Sequence, residues 1–271
     1  MSKVQARQSE WFEQWMLVRD DELSLFVEWI QPTTLEDFRG KSVLEGGCGG
    51  GQHTSFMAPY AKTVTAVDLN TVEIARERNK EFANVEFVEA DIAAMKLGRN
   101  FDAVLSVGVI HHTDNPDATV RNLIAHAKPG GRVVFWVYSK EGNFLVEYGV
   151  EPLRKLFLRH LPRPALLALS KLITAALYPV VYSLYLLPLT FLPYHAYFKN
   201  FRRFDFDRNV LNVFDKVNAP QVQLISRGRA EGWRSFAEFA SYVVTPYCGV
   251  SWRVTGVLAG SSSGQAAAAS S

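Results

Sequence analysis

From residue 41 to residue 138 short apolar runs alternate with longer mixed stretches, the pattern of strands wound with helices into a parallel sheet. Ser42–Glu45, Thr63–Asp68, Val85–Ala90, Phe101–Val107 and Arg132–Tyr138 read as strands. They are rich in Val, Phe and Leu without strict alternation, as strands covered on both faces are. Gln52–Ala61, Thr71–Phe82, Ile92–Met95 and Pro116–Ala127 read as helices or helical turns. Asp114 and Asn115 ahead of Pro116 make a favourable helix start, and Pro129-Gly130-Gly131 marks a turn before the fifth strand. Five β-α repeats predict a doubly wound α/β sheet.

The flanks differ. Gln8–Ile30 reads as one or two helices with Trp11 and Trp15 four apart on one face, docking the helices on the core or covering a ligand. Asp205–Trp233 reads as helical, Phe236–Val244 and Val250–Leu258 as strands, and the GSSSGQAAAASS tail as disordered. The expected organisation is a helical cap (1–38), a ligand-binding core (39–140), a helical insertion (141–208), a helix and strand pair completing the core (209–259) and a tail (260–271).

Composition narrows the class. With 48% hydrophobic and 21% charged residues among 271, the chain is globular rather than disordered. A net charge of +2 gives no reason to expect a nucleic-acid binder. Cys48 and Cys248 stand far apart with no CxxC spacing, which speaks against a disulfide scaffold or zinc ribbon and suits a reducing compartment. MSKVQARQSEWFEQW lacks the apolar run of a secretory signal, so a cytoplasmic protein is expected, with membrane association left open by a later segment.

That segment is where the charge is uneven. Residues 1–140 carry 15 Lys/Arg against 19 Asp/Glu, and residues 141–271 carry 14 against 8, so the positive excess lies in the second half. Within 151–208 the count is 9 against 3, and from Leu172 to Phe198 there is no charged residue. Three readings compete for 150–208: a lid over the site, an element lying in an anionic membrane surface, or a bilayer span. Pro179, Pro188 and Pro193 break the apolar stretch and disfavour the span.

The chemistry concentrates at strand ends. Glu45-Gly46-Gly47-Cys48-Gly49-Gly50-Gly51 follows the first strand and opens a helix, where open α/β sheets bind ligands. Glycines there let backbone approach a ligand. A carboxylate at Glu45 aimed into the loop would repel a pyrophosphate and suit a cationic group, arguing against a dinucleotide. Asp68 ends the second strand and can accept from ribose hydroxyls, and Asp91 after the third can accept from an exocyclic amine. Leu69 and Ile92 are apolar neighbours for a purine. Each feature has a plainer explanation, glycines as turn formers and the acids as helix caps. Together they imply an adenosine without phosphates and with a cationic part.

At this point the sequence resembles the class I, seven-stranded S-adenosylmethionine-dependent methyltransferases. LEGGCGGG, AVDLN, EADI, FDAVLSVGVIHHTDNP and LIAHAKPGGRVVFWVY fit that family's segments in order, and RGRAEGW with the two final strands is similar to its closing hairpin. The resemblance implies S-adenosylmethionine as cofactor, with Gly47 and Gly49 along its methionine part, Asp68 on the ribose and Asp91 with Ile92 at the adenine. Val107 and Gly108 would offer backbone near the amino group. Glu45, Gly46 and Leu69 complete the expected set.

Methyl transfer is an in-line displacement, so alignment dominates, and a base helps when the acceptor is a hydroxyl. His111 and His112 are the candidates for that base, or else they shape the pocket floor; His53 is placed to contact cofactor or loop. His126, His160 and His195 have no partners at metal-ligand spacing, and no metal is expected. The expected activity is methylation, at oxygen or carbon, of a small or lipid-like acceptor, with peripheral membrane contact through 151–204 as a possible accompaniment and no nucleic acid. The competing readings are a non-catalytic scaffold on the same fold and a nicotinamide-dependent oxidoreductase. No NPPY-like tetrapeptide follows the fourth strand, which speaks against a nucleic-acid methyltransferase.

Overall fold

A computed structural model describes residues 12–13 and 22–260. Seven strands, β1 (Ser42–Gly46), β2 (Thr63–Asp68), β3 (Val85–Glu89), β4 (Phe101–Val107), β5 (Ala127–Tyr138), β6 (Phe239–Tyr247) and β7 (Ser251–Leu258), form one sheet in the order β3-β2-β1-β4-β5-β7-β6. β1 to β5 pair in parallel, and β7 runs antiparallel between β5 and β6. Alternate residues of the central strands go to opposite faces. Leu44, Val104, Val133 and Phe135 join one core with Leu123, Trp233 and Trp252. Val43, Ala103, Leu105 and Val134 join the other with Phe26, Ile30, Phe38 and Met57. Both faces are covered, which is why Val43-Leu44 in β1 and Ala103-Val104-Leu105 in β4 are apolar at successive positions.

The helices are α1 (Leu23–Trp29), α2 (Gln52–Met57), α3 (Val72–Arg78), α4 (Pro116–Ala125), α5 (Glu151–Leu156), α6 (Arg163–Val181), α7 (His195–Phe201), α8 (Phe206–Asn218) and α9 (Arg227–Gly232). The start of α4 is as expected: Asn115 Oδ1 accepts from the Ala118 N–H at 3.1 Å with proline at the first turn. α2 and α3 stop earlier than expected. Pro59 follows the end of α2, and Asn79 closes α3 by turning its side chain onto the Ala75 and Gly51 carbonyls. Residues 92–94 form a turn rather than a helix. Trp11 and Trp15, and the tail beyond residue 260, lie outside the described residues.

Three expectations change. Pro129-Gly130-Gly131 is a bulge within β5: Ala127 pairs with Phe101 and Arg132 with Ala103, so the strand begins five residues early. β6 starts at Phe239 because Trp233–Phe236 is a 3-10 turn. The stretch 205–233 is not one helix. Pro220 ends α8, and residues 219–225 cross the sheet edge in extended form, Ile225 bridging to Ser139. The expected boundary at 208 falls within α8, whose Phe214 and Val217 pack with Leu166 of α6.

Candidate active site

The turn after β1 is built to hold one shape. Gly47 has φ +81°, and a Cβ there would lie 2.5 Å from Val109 Cγ1, so both conformation and space require glycine. The Gly47 and Cys48 N–H groups donate to the Val67 carbonyl at 2.7 and 3.0 Å, and the Gly51 N–H donates to Cys48 O at 2.8 Å. The Gly49 N–H donates to Asp68 Oδ2 at 2.9 Å, while Thr71 Oγ1 donates to Gly49 O at 2.6 Å. With four of its amides committed internally, the loop is a poor phosphate cradle, which needs amides pointing at the ligand. Asp68 also accepts from the Asn70 N–H at 3.3 Å. A carboxylate accepts about four hydrogen bonds, so acceptor capacity remains for a pair of hydroxyls.

Beside this turn, at the carboxyl ends of β1, β2 and β4, lies a cavity of about 430 Å³. Of the residues singled out in the sequence, Gly47, Gly49, Asp68, Leu69, Asp91, Ile92, Val107 and Gly108 line it. Asp91 combines both readings, since its Oδ1 also accepts from the Ala93 N–H at 2.8 Å. The geometry fits an adenosine with a cationic extension: carboxylates at two strand ends, apolar Leu69 and Ile92 nearby, and a glycine turn with four of its amides already committed.

Three expected residues do not line the cavity. Gly46 is required by packing, since a Cβ there would lie 2.7 Å from Leu123 Cδ2. Glu45 does not point into the loop. It is buried behind it, Oε2 accepting from the Thr54 hydroxyl and Oε1 lacking a hydrogen-bond partner. Burial pushes its carboxyl up to about 8, against the Thr54 hydrogen bond and helped by the charge of Asp68, so it holds its proton at neutral pH. The case against a dinucleotide therefore passes from the charge of Glu45 to the spent amides of the loop. His111, the third, is fully buried under the cavity, its Nδ1 accepting from the Tyr138 N–H at 3.4 Å.

His112 does face the cavity. Its Nδ1 lies 2.8 Å from the Gln221 carbonyl, which can only accept, so the proton is on Nδ1 and the ring's lone pair is on Nε2. Burial lowers its pKa, opposed by the charge of Asp215, and the ring is neutral at pH 7. His53 also lines the cavity, stacked on Phe26 at 4.8 Å and lowered to about 4 by burial and by the charge of Arg208.

Several lining residues were missed by sequence reasoning. Tyr138, at the carboxyl end of β5, donates its hydroxyl to Asp215 Oδ2 at 2.6 Å. Arg208, Leu211, Asn212 and Asp215 reach the cavity from one face of α8, at the i, i+3, i+4, i+7 spacing that could have flagged them. Beyond α8 the 219–223 strap is stitched to the 111–114 turn. Gln221 Nε2 donates to His112 O and Asp114 Oδ1, and Gln223 Nε2 donates to the Thr113 and Asp114 carbonyls. Among the described residues no group of acidic, His and Cys side chains could hold a metal.

Residues 44–135 match the methyltransferase-domain family. Over that stretch the chain is similar to methyltransferase domains. A ubiquinone biosynthesis O-methyltransferase of Pseudomonas fluorescens (strain Pf0-1) is 30% identical over 142 residues, 50% of this chain and 60% of that protein. One of Pseudomonas entomophila is 29% identical over the same length. The chain thus spans about 60% of the length of these curated relatives. Two solved structures from Burkholderia thailandensis share its fold. A 1,6-didemethyltoxoflavin-N1-methyltransferase with bound 1,6-didemethyltoxoflavin and S-adenosylhomocysteine has TM-score 0.53 and 14% identity over 95% of this chain and 89% of that one. An O-methyltransferase family protein has TM-score 0.54 and 12% identity over 96% and 61%.

Proposed function

We propose that this protein is an S-adenosylmethionine-dependent methyltransferase acting on the hydroxyl of a small acceptor with an apolar portion. The observation that carries the reading is the cavity in which Asp68, Asp91 and the glycine turn stand at one sheet edge together with His112. S-adenosylmethionine supplies an activated methyl group when bound there. Asp68 would hold the ribose hydroxyls, Asp91 would accept from the adenine amine with Leu69 and Ile92 beside the ring, and Gly47, Gly49 and Gly108 would leave room for the amino-acid part. His112 Nε2 accepts the acceptor's proton, and the carboxylate of Asp215 stabilises the resulting imidazolium. α8 and the strap exclude water from the reacting atoms.

A second cavity supports an acceptor with an apolar portion. This smaller cavity, of about 60 Å³, shares Trp29, Trp136 and Tyr138 with the first and is walled by Tyr197 and Phe201 of α7. Peripheral membrane contact through 151–204 belongs to the same reading, as the source of an acceptor poorly soluble in water. The names of the O-methyltransferase relatives support oxygen as the attacked atom.

Calorimetric titration with S-adenosylhomocysteine, with NADH alongside, tests the cofactor. Loss of two charge-assisted hydrogen bonds in Asp68→Ala should weaken binding by about 100-fold or more. Absence of binding by the folded wild type, or binding of NADH alone, would reject the reading.

A further inference from the structure

α6 does not confine its apolar residues to the inner face. A helix on a water-soluble domain turns an apolar stripe inward and polar residues outward. The face of α6 that packs inward carries Leu166, Ser170, Thr174 and Val181. The two hydroxyls are satisfied within the helix, Ser170 Oγ on Leu166 O and Thr174 Oγ1 on Ser170 O, both at 2.8 Å. The outward face carries Ala168, Leu172, Ala175, Ala176 and Val180. Leu172 is 69% exposed. Phe157 before α6, and Leu186 and Phe191 after it, are 64%, 59% and 78% exposed. So many large apolar side chains left exposed within one segment mark it as a candidate docking region.

The charge around it points to the occupant. Residues 152–204 contain eight Lys/Arg and no Asp or Glu. Arg159, Lys171 and Lys199 are exposed among the apolar side chains, and Tyr182 and Phe191 supply aromatic rings. Arg154, Lys155, Arg163 and Arg203 of that segment are ion-paired with Glu151, Glu13 and Glu28, so the exposed basic side chains to be matched are Arg159, Lys171 and Lys199, and a protein partner would need acidic side chains beside apolar ones. An anionic bilayer offers headgroup charge and hydrocarbon together, with aromatic rings at the boundary. α6 is long and apolar enough to cross a membrane by length and composition. Its inner face nevertheless packs through Leu166 on Phe214 and Val217 of α8, whose opposite face lines the cavity, so it lies along the domain rather than leaving it.

We propose that the outer face of the 153–199 insertion seats on an anionic membrane surface, with Phe157, Leu172, Leu186 and Phe191 entering the boundary and Arg159, Lys171 and Lys199 pairing with headgroups. This rests on the membrane-contact part of the proposed function. It deepens that reading by naming the face, the lipid charge and the mode, which is interfacial and not spanning. α7, which walls the smaller cavity, belongs to the same insertion, so an acceptor drawn from the membrane would enter beside Tyr197.

The test is flotation of the full chain with vesicles of phosphatidylcholine alone and of phosphatidylcholine mixed with phosphatidylglycerol. Co-flotation with the mixed vesicles, lost with phosphatidylcholine alone and weakened by high salt, is expected. The double variant Lys171→Glu/Lys199→Glu should lower partition by about tenfold or more, and Leu172→Asp/Phe191→Asp should lower it comparably. Both pairs are exposed, and unchanged S-adenosylhomocysteine binding by the variants would show that they fold. No flotation with either vesicle, or flotation indifferent to both variants, would overturn the proposal, and so would resistance to alkaline extraction from the vesicles. Flotation with no cofactor binding would reject the methyltransferase reading and leave the docking face standing.

Discussion

Behind the glycine turn the Oε1 of Glu45 faces the Nδ1 of His53 across 3.8 Å, the carboxyl buried and the imidazole half-buried, both neutral at pH 7. Glu45 carries the domain's second charge close to Asp68 only when it ionises, and burial prevents that up to about pH 8. The protein therefore keeps an acid next to its ligand site in the protonated form, and two consequences can be measured.

Between pH 4.5 and about 8 the folded chain keeps a proton on Glu45 that the unfolded chain has released. The folded state binds more protons in this window, so stability falls as pH rises through it, by up to about 5 kcal/mol if the whole shift is expressed. Below about pH 6.5 the histidines His53, His111 and His112, held neutral in the fold, offset this loss, so thermal denaturation of ligand-free protein should show the midpoint declining from about pH 6.5 to pH 8. Glu45→Gln, which is always neutral, should flatten the decline, and an identical profile in both proteins would remove the buried neutral carboxyl.

A positive charge entering the cavity stabilises the ionised form of Glu45 and lowers its pKa. Binding of S-adenosylhomocysteine at pH 7, with its cationic amino group, should thus release part of a proton. Calorimetry in two buffers of different ionisation enthalpy should reveal the release in the wild type and not in Glu45→Gln. Equal enthalpies in both buffers for the wild type would separate Glu45 from the ligand.

His112 and His111 should diverge under mutation. His112→Gln removes a general base and should lower kcat by about 100-fold to 10,000-fold, with cofactor affinity retained. Because burial holds His112 below its ordinary pKa, the acid limb of kcat in the wild type should fall below pH 6.5. His111 touches no part of the cavity, so His111→Gln should act on thermal stability first. A variant of His112 with unimpaired turnover would show that the acceptor needs no base there.

Gln223→Ala deletes the two side-chain hydrogen bonds to the Thr113 and Asp114 carbonyls. The expected cost is about 1–3 kcal/mol, read by urea denaturation. Faster hydrogen exchange should be confined to 111–114 and the strap; an unaltered exchange pattern would mean that the strap is held by its backbone alone.

Much of the site was legible because strands in a wound sheet deliver their ends to one edge. Once Thr63–Asp68 and Phe101–Val107 are recognised as strands, Asp68, Asp91, Val107 and Gly108 fall beside the glycine turn without further information. Glu45 and Gly46 show the limit of that logic. They lie in the same motif, yet one side chain turns back to Thr54 and the other position is kept small by Leu123, because which side of a turn a residue serves depends on what packs behind it. Tyr138 and Asp215 were illegible as a pair: 77 residues separate them, and only the return of α8 over β5 brings hydroxyl to carboxylate.

By itself the sequence determined the order of strands and helices in the core, the glycine turn, the acids at the strand ends and the excess of positive charge after the fifth strand. Each follows from local preferences, period-2 and period-3.6 patterning, glycine's access to positive φ, and the simple count of charges. The tertiary structure decided which of two adjacent histidines meets the cavity, that Glu45 is neutral, that residues 219–225 are a strap and not a helix, and which face of α6 looks outward. Those outcomes depend on burial and on partners distant in the chain. Desolvation, hydrogen-bond completion and packing act only once the chain has brought those partners together.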